Sequence, residues 1–383
     1  MYKFSIPTQF PSDLVNINKL MTSNESYSSD GLFYSECQEH LRLETNSLAA
    51  FITPSGTSAL EMMAQIIEFE PGDEVILPSY TFSSTAMAFL NAGAKLVFVD
   101  VTLNDGCIST SDVISNITEN TKAILAVSYG GRLENQTELY ELAKKTGIFY
   151  LEDNAQSIGM IGIGKGIEPI SAMSCISFHS TKNINAGGEG GALLINDSSL
   201  LEKAWNIRDK GTNRQNFLSG EVSKYQWTSK GGSHILGESG CAILASQLQS
   251  VNEVNLQRQT IMMQYKIYLP SNFDKYGSFM FEVGSKTNGH ISAVILENSD
   301  IRNSVIQRLK SMGISAVSHY EPLHSSPAAV RYDCRISESG CIVSTKLSKS
   351  IIRLPVYLGL LEDDVKEISD KLVDSLISAQ KLV

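Results

Sequence analysis

The sequence predicts an α/β fold, a mainly parallel sheet covered by helices on both faces, followed by a smaller α+β domain. Three observations carry that expectation. Between Phe51 and Ile195, short continuous apolar runs alternate with segments that are apolar at helical spacing. That is the pattern of strands buried on both faces by crossover helices. The alternation ends near Ala245, where a different pattern begins. The chain has 383 residues, more than one ordinary hydrophobic core accommodates.

The first fifty residues read as an arm with one or two helices. Thr57 to Glu68 carries Leu60, Met63, Ala64 and Ile67 on one helical face. Pro71-Gly-Asp73 marks a turn, and Glu74 to Leu77 a short strand. Ser84 to Ala92 reads as helix and Leu96 to Asp100 as strand. Ala123 to Val127 is a strand, Thr137 to Thr146 a helix and Ile148 to Glu152 a strand. Ile176 to Phe178 and Ala192 to Ile195 complete the series. Residues 1–245 therefore form the arm and large domain. Residues 246–383 form a linking helix (within Gln247 to Tyr268) and a small domain with strands at Ile291 to Leu296 and Ile351 to Leu354. A final helix runs from Glu362 to Leu382.

Composition narrows the function classes. Hydrophobic residues make up 42% and charged residues 19%, which excludes a disordered chain. The formal net charge of −10 repels phosphate backbones, so nucleic acid is not an expected partner. The six cysteines lack C-x-x-C spacing, and the six histidines lack metal-ligand spacing, so no metal is expected. The start, MYKFSIPTQFPSD, is not a signal peptide, and no apolar run reaches membrane-spanning length. A cytoplasmic protein with no membrane partner is expected. Gly162-Ile-Gly164-Lys-Gly166 imitates a dinucleotide loop but is not followed by a clear helix.

Ligands of parallel sheets bind beyond the carboxyl ends of the strands. That rule singles out Pro78-Ser-Tyr-Thr-Phe82, Asp100, Tyr129-Gly-Gly131, Asp153-Asn-Ala-Gln156 and His179-Ser-Thr-Lys182. Most lysines are solvated surface charges. A lysine buried at a strand end is different, because desolvation frees its neutral amine for Schiff-base chemistry. Asp153 reads either as a helix cap or as the partner of a pyridinium nitrogen in pyridoxal 5'-phosphate, which needs a carboxylate there. Gln156 is placed to reach that cofactor's phenolic oxygen. Ser55-Gly-Thr-Ser58 opens a helix, giving either plain capping or a phosphate cradle, with Ser177 adding a hydroxyl. Phe82 is either a core aromatic or a ring that stacks on the cofactor.

Taken together, TPSGTSALEMM, GDEVILPSYTFSSTA, EDNAQ, SFHSTKNINAGGEGGALLIND, RDKGTNRQNF, KYQW, SHYEPLHSSPA and IIRLPVY resemble the DegT/DnrJ/EryC1/StrS sugar-nucleotide aminotransferases, over nearly the whole chain. The resemblance implies a fold-type I architecture with a seven-stranded sheet. It implies pyridoxal 5'-phosphate carried by Lys182, with Gly56, Thr57, Phe82, Asp153, Gln156 and Ser177 around it. It further implies a homodimer with the active site at the interface, where the stretch from Lys210 to Phe217 reaches the partner's site. Lys210, Arg214 and Tyr320 are the candidate substrate contacts, with Lys224 a further cation.

The implied reaction moves an amino group from L-glutamate to a nucleotide-linked 4-keto-6-deoxy sugar, dTDP-4-keto-6-deoxyglucose, giving the galacto amino sugar for surface polysaccharide. Transfer to a 3-keto sugar and formation of the gluco product stay open, as does a catalytically silent regulator that binds the cofactor. The sugar 3-dehydratases of this group carry histidine where this chain has Lys182, which disfavours dehydration. Ser128, Arg132, Asn154 and Ser239 depart from the family pattern.

Overall fold

The computed structural model describes residues 1–23, 30–132, 135–162, 169–280 and 286–380. Most of the dinucleotide-like glycine run, and the last residues of the expected final helix, lie outside them.

Eleven strands occur among the described residues: β1 (Ala49–Thr53), β2 (Glu74–Pro78), β3 (Lys95–Val99), β4 (Thr121–Val127), β5 (Phe149–Asp153), β6 (Met173–Ser177), β7 (Gly191–Ile195), β8 (Gly277–Phe279), β9 (Ser292–Leu296), β10 (Arg335–Ile336) and β11 (Ile351–Leu354). The large sheet has the order β1-β7-β6-β5-β4-β2-β3-β10. Its pairs are parallel from β6 through to β10, and β7 runs against both of its neighbours. The seven strands up to β7 are the expected large sheet. The two-residue β10 is an addition from the C-terminal part of the chain, placed beside β3. It is held there by Arg335, whose guanidinium meets Glu74 at 3.0 Å and the Asn116 side chain at 3.0 Å. So short a strand carries no periodicity that a sequence reading could detect.

Helices cover both faces because the strands are apolar throughout. On one face the helix Gly56–Ile67 is buried nearly all round, against β6, β7 and the helix Ser83–Asn91. On the other, the arm helices Pro11–Thr22 and Leu32–Thr45 pack with the helix Glu238–Leu248 around Leu20, Phe33, Leu41, Ile176 and Leu244. A second antiparallel sheet, β11-β9-β8, has its own core of Val294, Leu296, Val305, Ile352, Leu354 and Leu372. The helix Val251–Tyr268 joins the two. Val251 and Val254 belong to the first core, Ile261 and Tyr265 to that of the second sheet.

Candidate active site

A cavity of about 500 Å³ lies beyond the carboxyl ends of β2, β4, β5 and β6 and is closed on its far side by residues of β9 and β11. That is the volume of a pocket for a cofactor with a small substrate. Gly56, Thr57, Phe82, Asp153, Gln156, Ser177, Lys182 and Tyr320 all line it.

Lys182 sits in the loop after β6. The loop folds back on the glycine-rich turn: Ser180 N–H donates to Gly188 O at 2.8 Å, and Ala186 N–H to Phe178 O at 3.0 Å. Gly187 and Gly188 make the reversal at φ of 77° and 145°, conformations a side chain resists. The side chain of Lys182 is half-buried, its open surface facing the cavity. Burial, opposed by the charge of Asp153 and reinforced by Arg353, lowers its pKa from 10.5 to about 8. A neutral amine is therefore accessible near physiological pH.

Asp153 ends β5 and is buried. Thr85 donates its hydroxyl to Oδ2 at 2.7 Å, and the Ala155 N–H donates to Oδ1 at 3.1 Å. The carboxylate is thus aimed at one place.

The candidate phosphate cradle is the N-terminus of Gly56–Ile67. Ser55 caps it, its hydroxyl accepting from Ser58 N–H at 3.0 Å. Thr57 and Ser84 hydroxyls lie 2.8 Å apart at its mouth. A Cβ on Gly56 would come within 2.9 Å of Ser177 Cβ, so glycine is what lets β6 approach the helix start.

Gln156 is held at both ends of its amide. Its Oε1 accepts from Gly130 N–H at 2.8 Å, and its Nε2 donates to the Tyr320 hydroxyl at 2.8 Å. Tyr320 stacks on His319 at 3.7 Å, and Phe82 lies 6.2 Å from its ring at the cavity edge. Phe82 is 57% exposed, so it is no core aromatic.

Sequence reasoning missed Phe4, Thr85, Arg258, His290, His319 and Arg353, all of which line the cavity. Arg353 was detectable as a lone charge within the apolar strand Ile351–Leu354. Its guanidinium lies 4.6 Å from the Phe4 ring, with Nε donating to Ser318 O at 3.3 Å. Among the described residues, neither Arg353 nor Arg258 forms an ion pair. Burial lowers the pKa of both, Arg258 to about 10. Unpaired buried guanidinium groups favour an anionic ligand.

The three cation candidates, and Asp100, lie elsewhere. Lys210 and Lys224 are exposed, outside the cavity. Arg214 pairs with Asp30 at 2.8 Å. Asp100 caps the helix Ile342–Ser350 instead, accepting from Val343 and Ser344 N–H, each at 2.8 Å.

The DegT/DnrJ/EryC1/StrS aminotransferase family model matches residues 14–373. The chain belongs to this family. The aminotransferase is 30% identical to the UDP-2-acetamido-2-deoxy-3-oxo-D-glucuronate aminotransferase of Pseudomonas aeruginosa, over 79% of each chain. It is 28% identical to the dTDP-4-dehydro-2,3,6-trideoxy-D-glucose 4-aminotransferase of Saccharopolyspora spinosa, over 88% of this chain and 87% of the relative. A pleiotropic regulatory protein of Geobacillus stearothermophilus is 29% identical, over 84% and 83%. In fold it superposes on the Helicobacter pylori aminotransferase PseC with a TM-score of 0.88, at 24% identity over 98% and 99% of the two chains.

The aminotransferase is pyridoxal-phosphate-dependent, and its cavity fits that cofactor. An amine of lowered pKa, a fixed carboxylate and a hydroxyl-rich helix N-terminus face one space of the right volume. The departures from the family pattern do not line this space. Ser128 bonds to the Asp153 carbonyl at 3.3 Å, and Asn154 donates to buried Glu152 at 2.9 Å. Arg132 and Ser239 are also outside the cavity. Next to Ser239, Glu238 accepts from Phe33 and Tyr34 N–H and caps the helix Leu32–Thr45.

Among the described residues there is no His/Cys/Asp/Glu cluster placed for a metal, and no helix long and apolar enough to cross a membrane.

Proposed function

We propose that this sugar-nucleotide aminotransferase transfers the amino group of L-glutamate to dTDP-4-keto-6-deoxyglucose, giving dTDP-4-amino-4,6-dideoxygalactose for surface polysaccharide. The observation that carries the chemistry is Lys182, a lysine of lowered pKa in one cavity with the buried carboxylate of Asp153. Lys182 holds the cofactor covalently. Asp153 pairs with its ring nitrogen, and Thr57, Ser177 and the helix N–H groups take its phosphate. Bound pyridoxal phosphate supplies the electron sink that makes a Cα–H acidic. The Lys182 amine, once free, would be the group on this chain that accepts that proton and gives it back. Arg353, on the opposite wall and without an acidic partner among the described residues, suits a substrate carboxylate. The residues lining the cavity come from both sheets, so the small domain shapes the site.

A homodimer suits the position of Lys210 to Phe217, which would then serve the partner's cavity. Six cysteines held as thiols suit a reducing, cytoplasmic setting. Relatives named for both 3- and 4-amino transfer support a 3-keto acceptor as the second reading. The silent-regulator reading draws on one relative's name, but the departures that motivate it lie outside the cavity.

The test is incubation with glutamate and dTDP-4-keto-6-deoxyglucose, followed by NMR of the product. The expected product carries an axial 4-amino group. Turnover only of a 3-keto isomer, or an equatorial amine, overturns the assignment. An unchanged cofactor spectrum on adding glutamate overturns transamination itself.

A further inference from the structure

Two chemically unlike substrates must occupy this one cavity in turn, an amino acid with carboxylates and a sugar with hydroxyls. The cavity wall beside Lys182 holds a side chain suited to tell them apart. A hydrogen-bond relay ends on His290. The Ile158 carbonyl can only accept, so Asn255 turns Nδ2 to it at 2.9 Å, which points Asn255 Oδ1 the other way. Asn183 therefore donates Nδ2 to Asn255 Oδ1 at 2.9 Å, and also to the Asn288 carbonyl at 3.0 Å. That leaves Asn183 Oδ1 as an acceptor, 2.9 Å from His290 Nδ1. Backbone carbonyls at two points thus fix every amide in the chain, and His290 has to carry its proton on Nδ1. Asn183 and Asn255 are 1% and 6% exposed, so water does not compete for these bonds.

Nε2 is then a bare lone pair. It has no hydrogen-bond partner among the described residues, and it is not one of the atoms sealed from solvent. His290 lines the cavity, so that lone pair is open to a ligand. Burial, together with the nearby charges of Lys182, Arg258 and Arg353, holds the ring well below the usual histidine range and hence neutral.

We propose that His290 recognises a hydroxyl of the sugar acceptor through the Nε2 lone pair, held in the Nδ1–H form by the Asn255–Asn183 relay. This rests on the sugar-nucleotide reading above. A hydroxyl donates to a lone pair, whereas a carboxylate at neutral pH has no hydrogen to give and is repelled by it. Arg353 is the converse, with N–H donors and no acceptor. One wall contact thus suits each substrate, and the His290 lone pair disfavours the carboxylate. His290 is accordingly a specificity residue for the acceptor half-reaction only.

The test compares the two half-reactions of the holoenzyme by stopped-flow absorbance, with L-glutamate and with dTDP-4-keto-6-deoxyglucose. In His290→Leu, kcat/KM for the sugar falls roughly ten- to hundredfold, and that for glutamate changes less than about threefold. His290→Gln, whose amide oxygen can accept, recovers part of the loss. Nitrogen-15 NMR of the unsubstituted protein shows the His290 ring neutral and protonated on Nδ1. Equal losses in both half-reactions, an unchanged sugar half-reaction, or an Nε2–H or cationic ring overturns the proposal. If the unsubstituted enzyme turns over no sugar nucleotide, the functional reading falls and takes the proposal with it. A sugar-active enzyme whose His290→Leu variant lacks the selective loss overturns the proposal alone.

Discussion

Asp100 and Asp153 stand in equivalent places in the sequence pattern, each closing an apolar parallel strand and each on the same rim of the sheet. Their fates differ. Asp153 faces the cavity with Lys182, held by Thr85 and Ala155. Asp100 turns to the helix Ile342–Ser350 and accepts from Val343 N–H, Ser344 N–H and Ser344 Oγ there, the last at 2.7 Å, with the Val101 N–H as a further donor at 2.9 Å. The difference is strand order. β5 lies between β4 and β6, where the strand ends open into the cavity. β3 lies toward the edge, beside β10, where the C-terminal part of the chain covers the rim. A strand-end carboxylate is chemical where the sheet leaves room above it, and structural where another element fills that room.

Catalytic activity should separate the two aspartates most. Asp153→Asn keeps the shape of the side chain but removes the charge, and should cost on the order of 10²–10³ in kcat. Asp100→Ala should leave kcat near the unsubstituted value in the same steady-state assay. Equal losses would show that the two positions do not differ in role.

Stability is the next measure. Asp100→Ala strips a buried cap from Ile342–Ser350 and should cost about 2 kcal/mol in chemical denaturation. A loss within error would mean that the cap contributes nothing.

The pH dependence of cofactor attachment sharpens the comparison further. Lys182 has its pKa lowered to about 8, so the rate of attachment to apo-protein should rise with pH through that value and level off above it. Asp153 raises this pKa by its charge, so Asp153→Asn should move the midpoint down, and Asp100→Ala should not move it. A midpoint near the ordinary lysine value would contradict the burial of the amine.

The smallest expected effect is at Asn154, next to Asp153 but turned toward Glu152. Asn154→Ala should cost about 1 kcal/mol in thermal unfolding and change kcat/KM less than about twofold. A larger kinetic effect would place this family departure within the chemistry after all.

Much of the site was legible beforehand because it is built from local motifs. A glycine-rich reversal, a capped helix start and a carboxylate at a strand end each announce themselves within a few residues. The eight sequence candidates that line the cavity include seven from such motifs between Gly56 and Lys182. Arg258, His290, His319 and Arg353 come from the other end of the chain and reach the cavity only when the second sheet packs over it. Nothing near Arg258, His290 and His319 in sequence distinguishes them from surface charges or structural histidines, whereas Arg353 stands out as a lone charge in an apolar strand. Lys210 and Arg214 show the opposite case, a recognisable motif that one chain places away from its own cavity.

Hydrophobic periodicity is local, so the strand and helix series, the fold class, the Lys182 loop and the Asp153 position can all be read from the order of residues. Strand order, and what covers each strand end, depend on contacts between residues hundreds of positions apart. Packing alone makes Asp100 a cap, brings Arg258 and Arg353 to the cavity without an ion-pair partner among the described residues, and lines up two asparagine side chains and two carbonyls on His290 Nδ1, because relays of this kind exist only once the distant segments are packed together.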